Sequence, residues 1–342
     1  MKEHLKHLVT GQPLSVAQTV DAFELIMTGQ ATPAQVGALL TMIQLRGPTA
    51  EEITGAAQVM RDKVTRVIVP DGLTAIDTCG TGGDHSKTFN ISTAAALVAA
   101  AAGRPKGVVV AKHGNRSITS QSGSSQVLEA LGVKLQVDGD TLTRCLDEAG
   151  LCFCFAPAHH PAMKHAMPVR TDLGVPTIFN VLGPLTNPAG ATRQVVGVFD
   201  GGLTETLAQV LRVLGSQRAM VVHGTINGGG LDELSTCGPT RVSHLRDGEV
   251  QTEQIDPEDL GLGHADPTAL QVDSPQASAA VIRDIMAGNP GPARDIVCLN
   301  AAAALVVSDL APDLSGGLKL AAEAIDRGQM RQTLDRLIGA TA

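Results

Sequence analysis

Residues 73–103 read LTAIDTCGTGGDHSKTFNISTAAALVAAAAG, and this stretch decides the fold class. Leu73 to Asp77 is a short strand pattern. A turn rich in glycine follows, and Asn90, Ser92 and Thr93 then open an Ala-rich helix that ends at Gly103. Strand, glycine loop and helix in that order begin an α/β unit, in which a mostly parallel sheet is covered by helices. Further strands are predicted at Val108–Ala111, Val133–Val137, Leu151–Phe155, Gln194–Phe199 and Ala219–His223. Helices are predicted over Ser125–Leu131 and from a cap at Asp140 to Gly150. Residues 157–192 break the alternation with prolines and short helical pieces. Arg241–Leu245 and Glu249–Gln254, joined by Arg246-Asp247-Gly248, read as a hairpin, and the tail from 275 is helical.

Upstream of the quoted stretch the pattern changes. The first 65 residues predict three helices, each opened by a capping box: Ser15 with Gln18, Thr32 with Gln35, and Thr49 with Glu52. Val36, Leu39, Leu40 and Ile43 form the apolar stripe of the second, and Ile53, Ala56, Ala57 and Met60 that of the third. A linker near Thr65–Gly72 separates a helical domain, residues 1–70, from an α/β domain, residues 71–342.

Composition narrows the function. The chain has 342 residues, no Trp, no Tyr and six Phe, so membrane barrels with aromatic belts and base-stacking nucleic-acid platforms are disfavoured. A net charge of −8 makes it a poor general polyanion binder, so any phosphate site must be local. No apolar run reaches the length of a membrane span. The six cysteines have neither zinc-ligand spacing nor a secreted disulfide pattern, and the expected location is the cytoplasm.

Four segments carry chemistry. The loop from Asp77 to Asp84 precedes a helix N-terminus with Thr88, Asn90, Ile91, Ser92 and Thr93, which together suit an anion cradle. It is neither a Walker A loop nor GxGxxG. Lys112, His113, Gly114, Asn115 and Arg116, followed by Ser117, Ile118, Thr119, Ser120 and Ser124, end a strand where α/β sheets bind ligands. The carboxylate pair Asp232–Glu233 suits Mg²⁺ held together with substrate phosphates. Arg170, in VRTDLG, could fork onto a substrate carboxylate or lie on the surface. His159, His160 and His165 lack the HExxH pattern and read as structural or solvated.

Taken together, DTCGTGGD, TFNISTAAA, AKHGNRS, SGSSQVLEALGV, PAMKHAMPVRTDLG, TIFNVLGPLTNPA and GLDELS resemble the anthranilate phosphoribosyltransferases of tryptophan biosynthesis. The resemblance runs from the N-terminal helices almost to the C-terminus. It implies transfer of the phosphoribosyl group of phosphoribosyl pyrophosphate (PRPP) to anthranilate, with Mg²⁺ required and pyrophosphate released. It also implies a homodimer formed through helical domains, with the 157–192 segment packed back onto those helices. PRPP would lie against Gly80, Gly83, Asp84, Thr88, Asn90 to Thr93, Lys112 to Ser120, and Ser124. Ser92, Asp232 and Glu233 would serve the metal. Gly80, Asn115 and Arg170 would line the anthranilate path, with His113 and Pro184 as further candidates. No nucleic-acid or membrane partner is implied.

The chain departs from the family's pattern at His85, where the family often has Gly, and at Gln126, which replaces the usual Asp. The stretches Gly103–Lys112 and Thr225–Gly230 are longer than is typical. Two rival readings are a pyrimidine nucleoside phosphorylase and a non-catalytic nucleic-acid-binding relative. The first lacks the Asn-Arg after His-Gly and the Asp-Glu pair. The second tends to be basic with eroded motifs.

Overall fold

The computed structural model describes residues 1–116 and 123–342. Four helices lead: α1 (Lys2–Val9), α2 (Val16–Met27), α3 (Pro33–Arg46) and α4 (Ala50–Asp62). All three capping boxes form, with Ser15, Thr32 and Thr49 each accepting from the backbone three residues on. The additional helix, α1, starts without a side-chain cap, so it left no local signal in the sequence.

The rest alternates: β1 (Thr74–Asp77), α5 (Ile91–Gly103), β2 (Val108–Gly114), α6 (Ser124–Leu131), α7 (Gly139–Ala149) and β3 (Leu151–Phe155). Three short helices interrupt it: α8 (Ala156–His159), α9 (Met167–Leu173) and α10 (Phe179–Leu182). Then come β4 (Arg193–Gly197), α11 (Leu203–Val213), β5 (Arg218–Ile226), β6 (Gly229–Leu231), β7 (Thr240–Arg246) and β8 (Glu249–Ile255). Four helices close the chain: α12 (Pro275–Met286), α13 (Pro292–Val307), α14 (Leu314–Asp326) and α15 (Gln329–Thr341).

The strands make one sheet in the order β3-β2-β1-β4-β5-β7-β8, with β6 paired to β5. Pairing is parallel from β3 through β5 and antiparallel beyond. A helical N-terminal part and a mostly parallel α/β part are therefore the architecture.

Local expectations fail at four places. Val133–Val137 is not a strand. Val133 and Leu135 alternate into the core, but Lys134 N–H donates to Thr341 Oγ1 at the end of α15 and, among the described residues, no strand lies alongside. Alternation there reports burial against helices, not pairing. The cap of α7 is Asp138, which accepts from Thr141 N–H at 2.8 Å, and Asp140 sits in the first turn. Strand β2 runs on through Lys112, His113 and Gly114, because they pair with Phe153, Cys154 and Phe155 of β3. The glycines of β6 hid a strand that exists only by pairing with β5.

Two cores result. One, with Ile76, Leu97, Val110, Cys152 and Leu299, fills the α/β part. The other joins Phe23, Leu39, Leu40 and Ile53 to Val169, Phe179 and Leu182, and continues onto Val196 and Val221 of the sheet. The 157–192 segment thus packs between the N-terminal helices and the sheet.

Candidate functional site

Most of the candidate residues gather at the C-terminal ends of β1, β2 and β4, where an open α/β sheet presents its crevice. Asp77 ends β1 and is fully buried. Its Oδ1 accepts from Thr78 N–H at 2.7 Å and His113 N–H at 3.0 Å, and its Oδ2 from the Asn187 amide at 2.7 Å. Asn187 also donates to the Ala111 carbonyl. One carboxylate therefore ties β1, β2 and the inserted segment together. Burial pushes its pKa up to about 6, while Lys112 and these hydrogen bonds pull it down.

Lys112 is 2% exposed. Its Nζ donates to the Thr78 carbonyl at 2.8 Å and to Ser92 Oγ at 3.1 Å. Ser92 N–H, in the first turn of α5, donates to Glu233 Oε1 at 3.1 Å. Gly82 N–H donates to Asp232 Oδ2 at 2.7 Å, and Asp232 N–H to Asp84 Oδ2 at 3.3 Å. The glycine loop and the Asp-Glu pair are thus one unit. Close approach makes it possible: a Cβ on Gly80 would stand 2.5 Å from Asp232 Oδ2, and one on Gly197 would run into the Asp232 carbonyl. Asn300 of α13 holds the next residue, accepting from Leu234 N–H and donating to Leu234 O, both at 2.9 Å.

Three carboxylates converge here with one buried lysine. Burial first, and then the charge of Asp84, push Asp232 up to about 7. Burial and Asp232 hold Glu233 well above the usual carboxylate range. Lys112 offsets this only in part at Glu233. Among the described residues, no three or more His, Cys, Asp or Glu close on a point as a ready-made metal cage. An all-oxygen set that leaves positions for water and phosphate fits Mg²⁺, which keeps several waters and takes few carboxylates.

The other expected residues surround this centre. Gly83 lies in the loop with φ +87°, near the Phe199 ring. Thr88 bridges to Gln271. Asn90 caps α5 by accepting from Thr93 N–H, and the Ile91 side chain is in the core. Gly114 is pressed between Ser124 and the Phe153 ring. Asn115 and Arg116 are exposed past β2; Arg116 pairs with Glu129, and Ser124 donates to the Asn115 carbonyl. Ser117, Ile118, Thr119 and Ser120 lie outside the described residues. At the departure His85, φ is +58°, a conformation that favours glycine.

His113 turns its ring away from this centre. The Gly183 carbonyl, 2.9 Å from Nδ1, accepts its proton, so His113 Nε2 is the acceptor for His160 Nε2–H at 3.2 Å. Burial depresses both rings, to about 3 and about 4, and keeps the pair neutral. Pro184 follows Gly183, and its carbonyl accepts from Gln194. Arg170 is on α9, in the inserted segment, and burial lowers its pKa. Asp77 and Asn187 lie in motifs the sequence offers, but their buried hydrogen bonds, and that of Asn300 to Leu234, are not readable from it. The acid ending an otherwise apolar Ala75-Ile76 strand was the one signal present.

Comparison with known proteins follows this layout. The profile described as glycosyl transferase family, a/b domain, matches residues 72–331. The one described as glycosyl transferase family, helical bundle domain, matches residues 2–64. The anthranilate phosphoribosyltransferase of Thioalkalivibrio sulfidiphilus is 51% identical over 342 residues, covering 100% of this chain and 99% of the relative. The crystal structure of the Thermus thermophilus anthranilate phosphoribosyltransferase superposes with a TM-score of 0.90 at 38% identity, covering 98% of each chain. The Saccharomyces cerevisiae enzyme, in complex with PRPP and Mg, superposes at 0.88 with 28% identity, covering 99% of this chain and 97% of that one. A helical part on a mostly parallel sheet, with the glycine loop and the Asp-Glu pair joined at its strand ends, belongs in that company: the chain is a member of the anthranilate phosphoribosyltransferase family of glycosyltransferases.

Proposed function

We propose that the chain transfers the 5-phosphoribosyl group of PRPP to the amine of anthranilate, releasing pyrophosphate. The observation that carries this reading is the single hydrogen-bonded unit of Gly82, Asp84, Ser92, Lys112, Asp232 and Glu233. An acidic chain needs such a local cradle for a substrate with two phosphate-bearing arms. PRPP lies against Gly80, Gly83, Asp84, Thr88, Asn90 to Thr93, Lys112 to Ser120, and Ser124. Asp232, Glu233 and Ser92 would hold Mg²⁺, which would supply positive charge to the leaving pyrophosphate.

The residues of the chain position and polarise. Lys112 fixes the Ser92 hydroxyl and adds fixed charge beside the carboxylates. Gly80, Asn115 and Arg170 orient anthranilate, with the Arg170 fork taking its carboxylate. The amine nitrogen bonds to ribose C1 as the C1–oxygen bond to pyrophosphate breaks, and the amine proton leaves to solvent. The aromatic amine is already neutral, so positioning and electrostatics suffice and no protein nucleophile is assigned.

The enzyme works as a cytoplasmic homodimer joined through its helical domain, where Val9 and Leu45 are exposed. Light scattering of the purified protein would give twice the chain mass. The main test uses the composition: with no Trp or Tyr, anthranilate emission can be followed directly. Emission should fall only when PRPP and Mg²⁺ are both present. Emission that persists with folded, metal-loaded protein would overturn the reading.

A further inference from the structure

We infer that Phe179 is a positioning residue for Arg170: its ring face holds the guanidinium from one side and leaves its N–H groups uncommitted to any acid, so that they can meet a carboxylate. This rests on the reading of Arg170 given above. Eight of the seventeen arginines pair with acids, among them Arg46 with Glu52, Arg104 with Asp147 and Arg294 with Asp326. Among the described residues no carboxylate pairs with Arg170. Its guanidinium carbon lies 5.1 Å from the centroid of the Phe179 ring, and its Nη1 donates to Met167 Sδ at 3.7 Å. Both partners are uncharged. An acidic partner would hold the group but occupy its fork and cancel its charge. A ring face attracts the cation through its quadrupole and uses none of the five N–H donors.

The ring is itself fixed. Phe179 is 6% exposed, and its centroid lies 5.5 Å from that of Phe23, at an interplanar angle of 50°. Phe23 is on α2 and fully buried. Asn180 Oδ1 accepts from Thr177 N–H at 3.1 Å and caps the turn that carries Phe179. A relay therefore runs from the helical core, through two of the chain's six phenylalanines, to one guanidinium. Through it the N-terminal helices set where the acceptor's carboxylate is met.

The test replaces Phe179, in the full chain, with phenylalanines carrying one, two and three ring fluorines. Fluorine withdraws charge from the ring face with little change in size, so folding and packing on Phe23 persist. The anthranilate KM should rise step by step, to about fivefold at three fluorines. The PRPP KM and kcat should stay within about twofold. In an Arg170→Ala background the same series should be flat. A flat series in the native background, with Arg170→Ala still raising the anthranilate KM, would overturn this inference alone. An unchanged anthranilate KM in Arg170→Ala would instead remove the reading beneath it. Phe179→Leu gives a second check: it should raise the anthranilate KM more than Phe23→Leu does, and the reverse order would count against the relay.

Discussion

The centre at the strand ends and the corner around Arg170 are built on opposite plans. The centre concentrates three carboxylates and a buried lysine, held by backbone N–H groups and by glycines that let backbone approach. At the corner a ring and a thioether face one guanidinium, and among the described residues no carboxylate pairs with it. The centre is short of positive charge, and the corner keeps positive charge unspent. A substrate pair fits this contrast when one member arrives with a cation and phosphates and the other with a bare carboxylate. The first plan tolerates no added atoms; the second depends on a surface whose removal leaves a cavity.

The contrast can be broken by mutation, most severely at the centre. Asp232→Asn should cut Mg²⁺-dependent turnover by about a hundredfold or more. Unchanged metal dependence would take Asp232 out of the site. Without metal and above about pH 7, the same variant should be no less stable, because the amide removes a buried charge crowded by Asp84. Without metal, the folded chain keeps a proton on Asp232 up to about pH 7, whereas the unfolded chain has already released it. Stability of chelator-treated protein should therefore fall as pH rises from about 6.5 to about 8, and less so in Asp232→Asn. His113 and His160, depressed to about 3 and about 4, act with the opposite sign, but only below about pH 6.5. A melting temperature that climbs across the upper range would contradict this.

At the corner the effect should be smaller and confined to one substrate. Arg170→Ala should raise the anthranilate KM by roughly tenfold to a hundredfold and spare that of PRPP. Steady-state kinetics with each substrate varied would decide, and a change limited to PRPP would show the role misassigned. Between the two regions, Asn187→Ala should cost about 1–3 kcal/mol in denaturant unfolding, because it strips a donor from buried Asp77. A loss under about 0.5 kcal/mol would mean that Asp77 finds another partner. The smallest effect is expected at the loop tip. His85→Gly removes left-handed strain but adds freedom to the unfolded chain, so stability should change by less than about 1 kcal/mol.

Local chemistry was legible in the sequence and long-range chemistry was not. The capping boxes at Ser15, Thr32 and Thr49 were readable because every partner lies within three residues. The glycine loop and the Asp-Glu pair were readable as separate motifs, but their union through Gly82 and Asp232 spans 150 positions. Asp77 and Asn187 meet across 110 positions, so neither announced the other. Val133–Val137 failed for a related reason: an alternating pattern fixes which side chains are buried, whereas a strand also needs a neighbour. The ring against Arg170 left no trace either, since Phe179 reads as an ordinary apolar residue in a proline-rich connection.

The split core has a consequence for synthesis. The N-terminal helices are complete once Asp62 is made, yet the apolar face around Phe23 is covered only when Val169, Phe179 and Leu182 emerge. Beta-strand β4, which closes the site against β1, comes later still. For more than a hundred residues of elongation, the growing chain carries helices with an unfinished seam, a natural docking point for holding chaperones. Nascent chains halted near residue 150 should be cut within α2 and α3 by a brief protease pulse. Chains halted well past β4, with that strand clear of the ribosome, should resist it. Equal protection at both lengths would show that the helices stand on their own.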